Sequence, residues 1–407
     1  MLAGGPLGAA FGPRQRPPVR LSSGIVICLR FLTRLYPEME CRCRPADDAA
    51  QVGGRMKKRI VIVGAGAVGC YLGGHLSRAG NDVTLIDGWP EHVETIRKHG
   101  LQLSGMTDEE TCTVTVPTMH ITEAQRLSRE RPVDIAIVTS KSYDTEWWTV
   151  LVQQYLSAGG YVVSAQNSIN EETIAGVVGW GRTVGCIVGN NFAVDLYEPG
   201  CVRRTMPRDF NTASLFVGEV HGRVTPRIQE LQALLAPIDG GAVTTNLWGA
   251  RWSKLCVNGM RNGVSAVTGM SGNERDAHPQ IRRLVIRLGG EAVRVGRALG
   301  YDLEHVTGLA PDVLLAASQG DTRALADVEK HMQGGTSARA RSNLQRPSMA
   351  QDIQKGRRTE IGEINGFIVR KAQEIGLAAP THQRIVEVVR QVERGEVSPR
   401  PEVLFDI

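Results

Sequence analysis

The sequence has few aromatic residues and no long apolar run, and both absences narrow what the chain can be. Phe, Trp and Tyr together make up 5% of the 407 residues, so a buried core must consist mostly of aliphatic side chains. No run approaches the roughly 18 consecutive apolar residues that a membrane-spanning helix needs, so we expect no membrane association. The net charge of +5 is small and dispersed, which predicts no binding of nucleic acid.

Paired cysteine motifs are also missing. The eight Cys residues are scattered, no CxxC pair occurs, and no His follows Cys41 and Cys43 at the spacing of a zinc site. Four other Cys residues lie in or beside apolar runs, namely Cys70, Cys112, Cys186 and Cys256. The sequence therefore predicts reduced, buried thiols in a cytoplasmic protein, and it predicts no metal site.

The first 56 residues differ in composition from the rest of the chain. Residues 1–37 contain five Arg and no acidic residue, and Gly and Pro are frequent at positions 4–18. This composition is typical of a disordered or wrongly assigned leader, in which case Met56 is the true start. It also partly fits an organelle transit peptide, and both interpretations stay open.

From Arg59 onward, short β-type runs alternate with helical stretches, which predicts parallel strands joined by crossover helices. We therefore expect an α/β fold, with a Rossmann-type parallel sheet domain over residues 57–235. An all-helical C-terminal domain is expected over residues 236–395, followed by a tail over residues 396–407. Residues 101–116 are predicted to form an antiparallel insertion. The β-type runs are 60–63, 83–86, 134–138, 161–164 and 184–188.

A glycine-rich turn follows the first of these runs. It consists of Gly64, Ala65, Gly66, Ala67, Val68 and Gly69. Gly64 allows the tight turn, Gly66 leaves room for a phosphate, and Gly69 lets the next helix pack close to the strand. The N–H groups at the start of that helix attract an anion. The turn therefore predicts a site for the pyrophosphate of a dinucleotide.

The second β-type run ends at Asp87, about 20 residues beyond the turn, where dinucleotide-binding proteins carry an acidic residue. A carboxylate at this place accepts a hydrogen bond from a ribose 2′-hydroxyl and repels a 2′-phosphate. The pair Asp87-Gly88 therefore favours NAD(H) over NADP(H).

A polar stripe is predicted on one helix of the second domain. Lys254, Asn258 and Asn262 follow one another at i, i+4 and i+8, so they lie above one another on one helix face. An ammonium in such a place can protonate a developing alkoxide, and amides can hold hydroxyl groups. The same spacing is also typical of a solvated polar face, and the pattern alone does not choose between the two.

Four further residues are candidates for the site. Lys141 and Asn167 each follow a predicted strand, at the sheet edge where cofactor and substrate lie in open parallel sheets. Residues 348–375 are predicted to form one helix that starts in a capping box at Ser348. On that helix Glu360 would lie on an apolar stripe, where a carboxylate needs a partner such as the ammonium of the polar stripe or a ligand hydroxyl.

Taken in order, these segments resemble the ketopantoate reductase (2-dehydropantoate 2-reductase) family. Residues 59–104 resemble its opening, residues 138–141 its cofactor lysine turn, and Gln166-Asn167 its QNG turn. Residues 348–366 resemble its SMxQD…GRxTEID…NG block. Its KxxxNxxxN signature is similar to the stripe of Lys254, Asn258 and Asn262.

The resemblance implies an NAD(P)H-dependent reduction of a 2-keto acid to a 2-hydroxy acid, foremost 2-dehydropantoate to pantoate in pantothenate biosynthesis. It implies that Lys254 protonates the carbonyl oxygen and that Ser348 binds the substrate carboxylate. Asn258 and Asn262 would hold the hydroxyl and carbonyl of the substrate. The residues implied along the cofactor are Lys141, Asn167 and Glu360, of which Asn167 would also contact the substrate.

Some residues depart from the family pattern. The family generally uses NADP(H) and has an Arg just past the second strand, where this chain has Asp87-Gly88. Ser168, Gly362 and His382 stand where the family usually has Gly, Asp and Asn. These departures leave open a related reductase of another 2-oxo acid, or a catalytically silent dinucleotide-binding protein. A small-molecule substrate is expected as partner, and a monomer or homodimer as assembly.

Overall fold

The computed structural model describes residues 57–208, 212–338 and 347–407. Residues 57–407 form one compact unit. The predicted leader, residues 1–56, lies outside the described residues. None of the helices in the described ranges is both long enough and apolar enough to cross a membrane.

The first half of this unit is built from β-strands and their connecting helices. The described residues contain the strands β1 (Arg59–Val63), β2 (Asp82–Asp87), β3 (Leu101–Ser104), β4 (Cys112–Val114), β5 (Thr118–His120), β6 (Val133–Val138), β7 (Leu156–Ser164), β8 (Thr183–Val188), β9 (Val194–Glu198), β10 (Cys201–Arg204), β11 (Leu215–Glu219) and β12 (Gly241–Val243). All five predicted β-type runs fall within strands β1, β2, β6, β7 and β8. The aliphatic side chains of these strands form the core of this half together with side chains of the helices that pack on the sheet.

The helices connect these strands and then make up the second half. In the described residues they are α1 (Ala67–Arg78), α2 (Pro90–His99), α3 (Thr145–Gln153), α4 (Glu171–Val178), α5 (Pro226–Asp239), α6 (Leu247–Thr268), α7 (Gly272–Ala277), α8 (Pro279–Ala298), α9 (Pro311–Ser318), α10 (Thr322–Ala338), α11 (Ser348–Gln354), α12 (Asn365–Glu374) and α13 (Pro380–Glu393). Helix α6 lies in the middle of the second half and packs against α8, α11 and α13. This arrangement confirms a Rossmann-type sheet followed by a helical region.

The larger sheet has eight strands in the order β12-β11-β8-β7-β6-β1-β2-β5. Neighbours from β8 to β5 run parallel. Strand β11 instead pairs antiparallel with β8, because the chain returns through the hairpin β9–β10 rather than through a crossover helix. The parallel strands end at one edge, so β1, β2, β6 and β7 bring their following loops together.

A smaller sheet has the order β4-β3-β10-β9. Within the predicted insertion, β3 and β4 pair antiparallel, with Leu101 opposite Val114. The insertion does not stand alone, because β3 also pairs parallel with β10.

The predicted boundary at residue 235 falls inside α5, which runs to Asp239. Strand β12 follows it and pairs with β11 at the edge of the larger sheet. The sheet-bearing part of the chain therefore extends to Val243, and α6 is the first long helix of the helical core.

The prediction of a single helix over residues 348–375 is wrong. Helix α11 ends at Gln354, and α12 begins only at Asn365. Gly356 has a φ of +61°, a left-handed conformation that ends a helix and that glycine adopts without strain. The segment from 355 to 364, here called the crossing segment, is therefore free to run over the first half of the unit.

A buried ion pair joins α6 to the end of β7. Arg251 of α6 is 1% exposed, and its Nε donates to the carboxylate of Glu171, which is fully buried, at 2.8 Å. Its other nitrogens donate to the carbonyl oxygens of Ser164 and Gln166, both at 2.7 Å. Because the guanidinium is paired and hydrogen-bonded, its burial is tolerated, and removal of one partner leaves an uncompensated charge.

We expect Arg251→Gln to lower the free energy of unfolding by about 3–5 kcal/mol, since Glu171 then stays buried without its cation. Urea unfolding followed by circular dichroism measures the change. The double variant Arg251→Met/Glu171→Met removes both charges and should lose less than the single variant. Arg283→Gln, at an exposed position of α8, is the matched control. A single-variant loss no larger than that of the control would contradict the role of the ion pair.

A neutral histidine supports α6 from its other side. His382 is fully buried, and its Nε2 donates to the Leu288 carbonyl oxygen at 2.9 Å. Its Nδ1 lies 3.0 Å from the amide nitrogen of Asn365, which also donates to the carbonyl oxygen of Gly259 in α6 at 2.8 Å. Burial lowers the pKa of His382, although the nearby Glu291 opposes this effect.

The free energy of unfolding should therefore fall as the pH drops below the ordinary histidine pKa of about 6.5. The reason is that the unfolded chain takes up a proton on His382 at a higher pH than the folded protein does. Urea unfolding at several pH values below neutrality measures the slope. His382→Asn should reduce the slope by up to ~1.4 kcal/mol per pH unit, whereas His305→Asn, at an exposed position, should not. Equal slopes in the His382 variant and the original protein would refute this.

Candidate active site

The glycine turn has the geometry that a dinucleotide pyrophosphate needs. Gly64 has a φ of +78°, and a Cβ added there would lie 2.6 Å from the backbone of Ser140. A Cβ on Gly69 would lie 2.8 Å from the carbonyl oxygen of Gly64. At Gly66, by contrast, no described heavy atom lies within 4 Å of an added Cβ. The turn is therefore closed on the protein side and open where a phosphate would approach.

Helix α1 begins directly after this open position. Its N-cap is Gly66, and no side chain caps its first N–H groups. These groups, on Ala67, Val68 and Gly69, have no acceptor within the helix and carry the positive end of the helix dipole. The residues present thus fit the pyrophosphate of a dinucleotide.

Asp87 ends β2 beside this turn, at the position expected for ribose recognition. Its Oδ1 accepts a hydrogen bond from the backbone N–H of Trp89 at 2.9 Å. Gly88 between them is exposed, and within the described structure nothing lies within 4 Å of a Cβ added there. The end of β2 therefore presents a carboxylate next to open space.

Lys141 lies at the end of β6, where it meets residues from the helical half. Its Nζ donates to the carboxylate of Asp352 at 2.5 Å and to the hydroxyl of Ser348 at 3.2 Å. The carboxylate of Glu360 lies 3.6 Å from the same nitrogen. Burial opposes the charge, but Glu360 and Asp352 outweigh it and raise the pKa of Lys141. A charged cluster of one half-buried lysine and two buried carboxylates thus connects the two halves.

Glu360 has a different partner from the one that the helical pattern predicted. It lies in the crossing segment rather than on a helix, and it is 4% exposed. Its Oε1 accepts from both the N–H and the hydroxyl of Ser142, each at 2.9 Å. Because the helix breaks after Gln354, the carboxylate faces the loop after β6, and its ammonium partner is Lys141 rather than Lys254.

The capping box expected at Ser348 is also wrong. The N-cap of α11 is Pro347, and Ser348 is the first helical residue. No side chain caps this helix, because the Ser348 hydroxyl accepts from Lys141 instead. Ser348 therefore belongs to the charged cluster, with α11 packed against α6.

The turn after β7 joins the sheet edge to α6. Gln166 donates through its Nε2 to the carbonyl oxygen of Ser140 at 3.0 Å, which places this turn beside the loop after β6. The amide oxygen of Asn167 accepts from Nδ2 of Asn258 at 3.1 Å. This hydrogen bond brings the polar stripe of α6 to the carboxyl edge of the sheet.

Ser168, which stands where the family usually has glycine, has a backbone conformation that glycine adopts more easily. Its φ is +67°, in the left-handed region that disfavours residues with a side chain. Its hydroxyl donates to the carbonyl oxygen of Glu363 in the crossing segment at 2.5 Å. That contact to the helical half is unavailable to glycine and offsets part of the strain.

The polar stripe of α6 is not a solvated face. Asn258 is 6% exposed and Asn262 is 9% exposed. Lys254 is half-buried, and its Nζ donates to the amide oxygen of Asn190 at 2.6 Å. Burial, together with the positive charge of Arg261, lowers the pKa of Lys254 to about 8. An ammonium with this pKa gives up its proton more readily than an ordinary lysine does.

The structure brings most of the predicted residues into one connected region, although not all into direct contact. Hydrogen bonds link Lys141 with Ser348 and Asn167 with Asn258, while within the described residues none links Lys254 to Lys141 or Glu360. The described residues contain no group of three or more His, Cys, Asp or Glu side chains that could hold a metal ion.

The sequence did not predict five residues of this region, namely Ser142, Gln166, Asn190, Arg251 and Asp352. Of these, Gln166 and Asp352 stood inside the quoted family motifs, and the other three depend on tertiary contacts.

Comparisons with known proteins identify the family to which the chain belongs. Residues 60–214 match the family model "Ketopantoate reductase PanE/ApbA", and residues 246–393 match "Ketopantoate reductase PanE/ApbA C terminal". The 2-dehydropantoate 2-reductase of Archaeoglobus fulgidus is 28% identical over 343 residues, which cover 83% of this chain and 99% of that protein.

Solved structures give the same result for the fold. The PanE/ApbA family ketopantoate reductase from Ralstonia eutropha JMP134 has a TM-score of 0.66 at 26% identity, with 83% of this chain and 99% of that chain covered. D-mandelate dehydrogenase, solved with NADH and anilino(oxo)acetate, has a TM-score of 0.67 at 24% identity, covering 84% and 100%, and supports the fold alone. The chain belongs to the ketopantoate reductase family of NAD(P)-dependent oxidoreductases that act on CH–OH groups.

Proposed function

We propose that the protein reduces a 2-keto acid to a 2-hydroxy acid with NAD(P)H, and that its substrate is 2-dehydropantoate, which becomes pantoate. The observation that carries the proposal is the hydrogen bond between Asn258 and Asn167. It fixes the helix that bears Lys254 against the sheet edge that bears the glycine turn. A ketone held between them has a proton donor on one side and the coenzyme on the other.

Lys254 is the proposed proton donor. The bound coenzyme supplies a hydride to the carbonyl carbon. The carbonyl oxygen then takes the proton from the Lys254 ammonium, which is left as a neutral amine and regains its proton from water. A pKa near 8 suits this role, because the group is largely protonated at neutral pH and yet is a better acid than ordinary lysine.

The substrate is held by residues around this donor. Asn258 and Asn262 present buried amides that can pair with the hydroxyl and carbonyl of the substrate. The Ser348 hydroxyl would bind the carboxylate of the substrate, and its distance of 3.2 Å from the Lys141 ammonium supports this role. Asn167 can serve both substrate and coenzyme, since it lies where the sheet edge meets α6.

The coenzyme would lie along the sheet edge from the glycine turn to the charged cluster. Gly64, Gly66 and Gly69 shape the pyrophosphate site, and Ala65, Ala67 and Val68 complete the turn. Asp87 would face the adenosine ribose and, taken alone, would favour NADH over NADPH. Lys141 and Glu360 lie at the end of β6, beside the substrate residues.

A panel of 2-oxo acids tested with NADH and NADPH distinguishes the proposal from its alternatives. Highest kcat/KM on 2-dehydropantoate supports it. A higher value on another branched or hydroxylated 2-oxo acid assigns the chain to a related reductase, in keeping with the departures at Ser168, Gly362 and His382. Coenzyme binding without turnover on any keto acid indicates a silent dinucleotide-binding protein.

A cytoplasmic location and a monomeric or homodimeric state remain predictions from the sequence.

Lys254→Ala should lower kcat on the order of 10²- to 10⁴-fold, because the developing alkoxide loses its general acid. The dissociation constant for the coenzyme should stay the same, as measured by quenching of protein fluorescence. In the original protein kcat should fall as the pH rises past about 8, where Lys254 loses its proton. Lys330→Ala, at an exposed position of α10, is the control. A Lys254 variant as fast as this control would remove Lys254 from the acid role.

A further inference from the structure

An arginine from the helical half lies beside the end of β2. Arg357, in the crossing segment, places its guanidinium carbon 5.1 Å from the centre of the Trp89 ring. The N–H of Trp89 in turn donates to the carboxylate of Asp87. The structure thus brings a cation to the place where the sequence has Asp87-Gly88 and lacks the Arg usual in the family.

The Asp87 carboxylate and the Arg357 guanidinium both act on the same buried side chain, His92. This buried ring lies 2.9 Å from the carbonyl oxygen of Ala65 in the glycine turn, and it stacks on Trp89 with 5.5 Å between the ring centres. Burial lowers the pKa of His92, the Asp87 carboxylate raises it, and the Arg357 guanidinium lowers it further. Both charges therefore act at the adenosine end of the proposed coenzyme site.

The guanidinium of Arg357 is available to a ligand. Its side chain is exposed, and in the described part of the chain it forms no ion pair with a carboxylate. Gly88 is exposed as well, with open space where a side chain would be. Both features adjoin Trp89, because Gly88 precedes it in the chain and the guanidinium of Arg357 lies over its ring.

The backbone holds this arginine in place. The N–H of Arg357 donates to the carbonyl oxygen of Asp352 at 2.8 Å, and the carboxylate of Asp352 pairs with Lys141. Lys355 fixes the start of the crossing segment through Asp195 at 3.1 Å. The position of Arg357 is thus coupled to the charged cluster around Lys141.

We infer that Arg357 binds the 2′-phosphate of NADPH and so gives the protein a coenzyme specificity that Asp87 alone would deny it. The inference rests on the proposed binding of a dinucleotide at the glycine turn. A guanidinium suits this role, because it pairs with phosphate through two parallel N–H groups while its plane stacks on an aromatic ring. Because Arg357 comes from the helical half, it lies far along the chain from β2, whose end it would complete as a specificity residue.

The test compares two adenosine fragments that differ in the 2′-phosphate, adenosine 2′,5′-bisphosphate and 5′-AMP, by isothermal titration calorimetry on the full chain. Arg357→Gln should weaken binding of the bisphosphate by roughly tenfold or more and leave 5′-AMP nearly unchanged, because only the former makes the charge-assisted contact. Arg357→Lys should lie between, since it keeps the charge but loses the paired geometry.

Arg358→Gln is the matched control. Arg358 is the next residue, yet its guanidinium lies over Tyr143 at 4.2 Å, on the side of the charged cluster. Its variant should keep the original ratio of the two fragment affinities. Titrations with NADPH and NADH, followed by fluorescence quenching, should show the same selective loss in the Arg357 variant.

The outcomes separate the inference from the function on which it rests. If both fragments lose affinity equally in Arg357→Gln, or neither does, the inference is overturned while coenzyme binding stands. If the original protein binds neither NADH nor NADPH, the proposed function fails and the inference fails with it.

Discussion

The buried pair of Arg251 and Glu171 is the interaction on which the rest of the site depends. It fastens α6 to the end of β7 through four nitrogen–oxygen contacts in the dry interior, where an unpaired charge would be costly. Lys254 and Asn258 follow Arg251 on the same helix. The anchor therefore holds this part of α6 against the sheet edge, where Asn258 donates a hydrogen bond to Asn167.

The crossing segment is the second feature that positions the site residues. It exists because α11 ends at Gln354 and does not continue into α12. Gly356 ends α11, so the chain runs over the first half of the unit instead of continuing into the helical core. Along it, successive side chains reach different loops of the sheet edge: Arg357 reaches Trp89, Arg358 reaches Tyr143, and Glu360 reaches Ser142. One short segment thus contacts both the loop after β2 and the loop after β6.

The sequence located five strands of the larger sheet because the position of a strand along the chain follows local signals. Apolar runs of β type located β1, β2, β6, β7 and β8, and glycine spacing located the turn at Gly64. It failed at residues 348–375, where an apolar periodicity suggested one helix. The periodicity was real in α11 and α12, but a single left-handed glycine between them changed the direction of the chain, and with it the partner of Glu360.

Sequence alone determined which chemical groups are present and which of them are neighbours on one element: the glycine turn on β1 and α1, and the lysine and two amides on α6. These follow from spacing, because the periods of strand and helix are fixed by the backbone. Tertiary structure decided which groups face each other across the two halves, such as Lys141 with Asp352 and Arg357 with Trp89. Those pairs are separated by more than 200 residues, and only packing and the desolvation of charge select them.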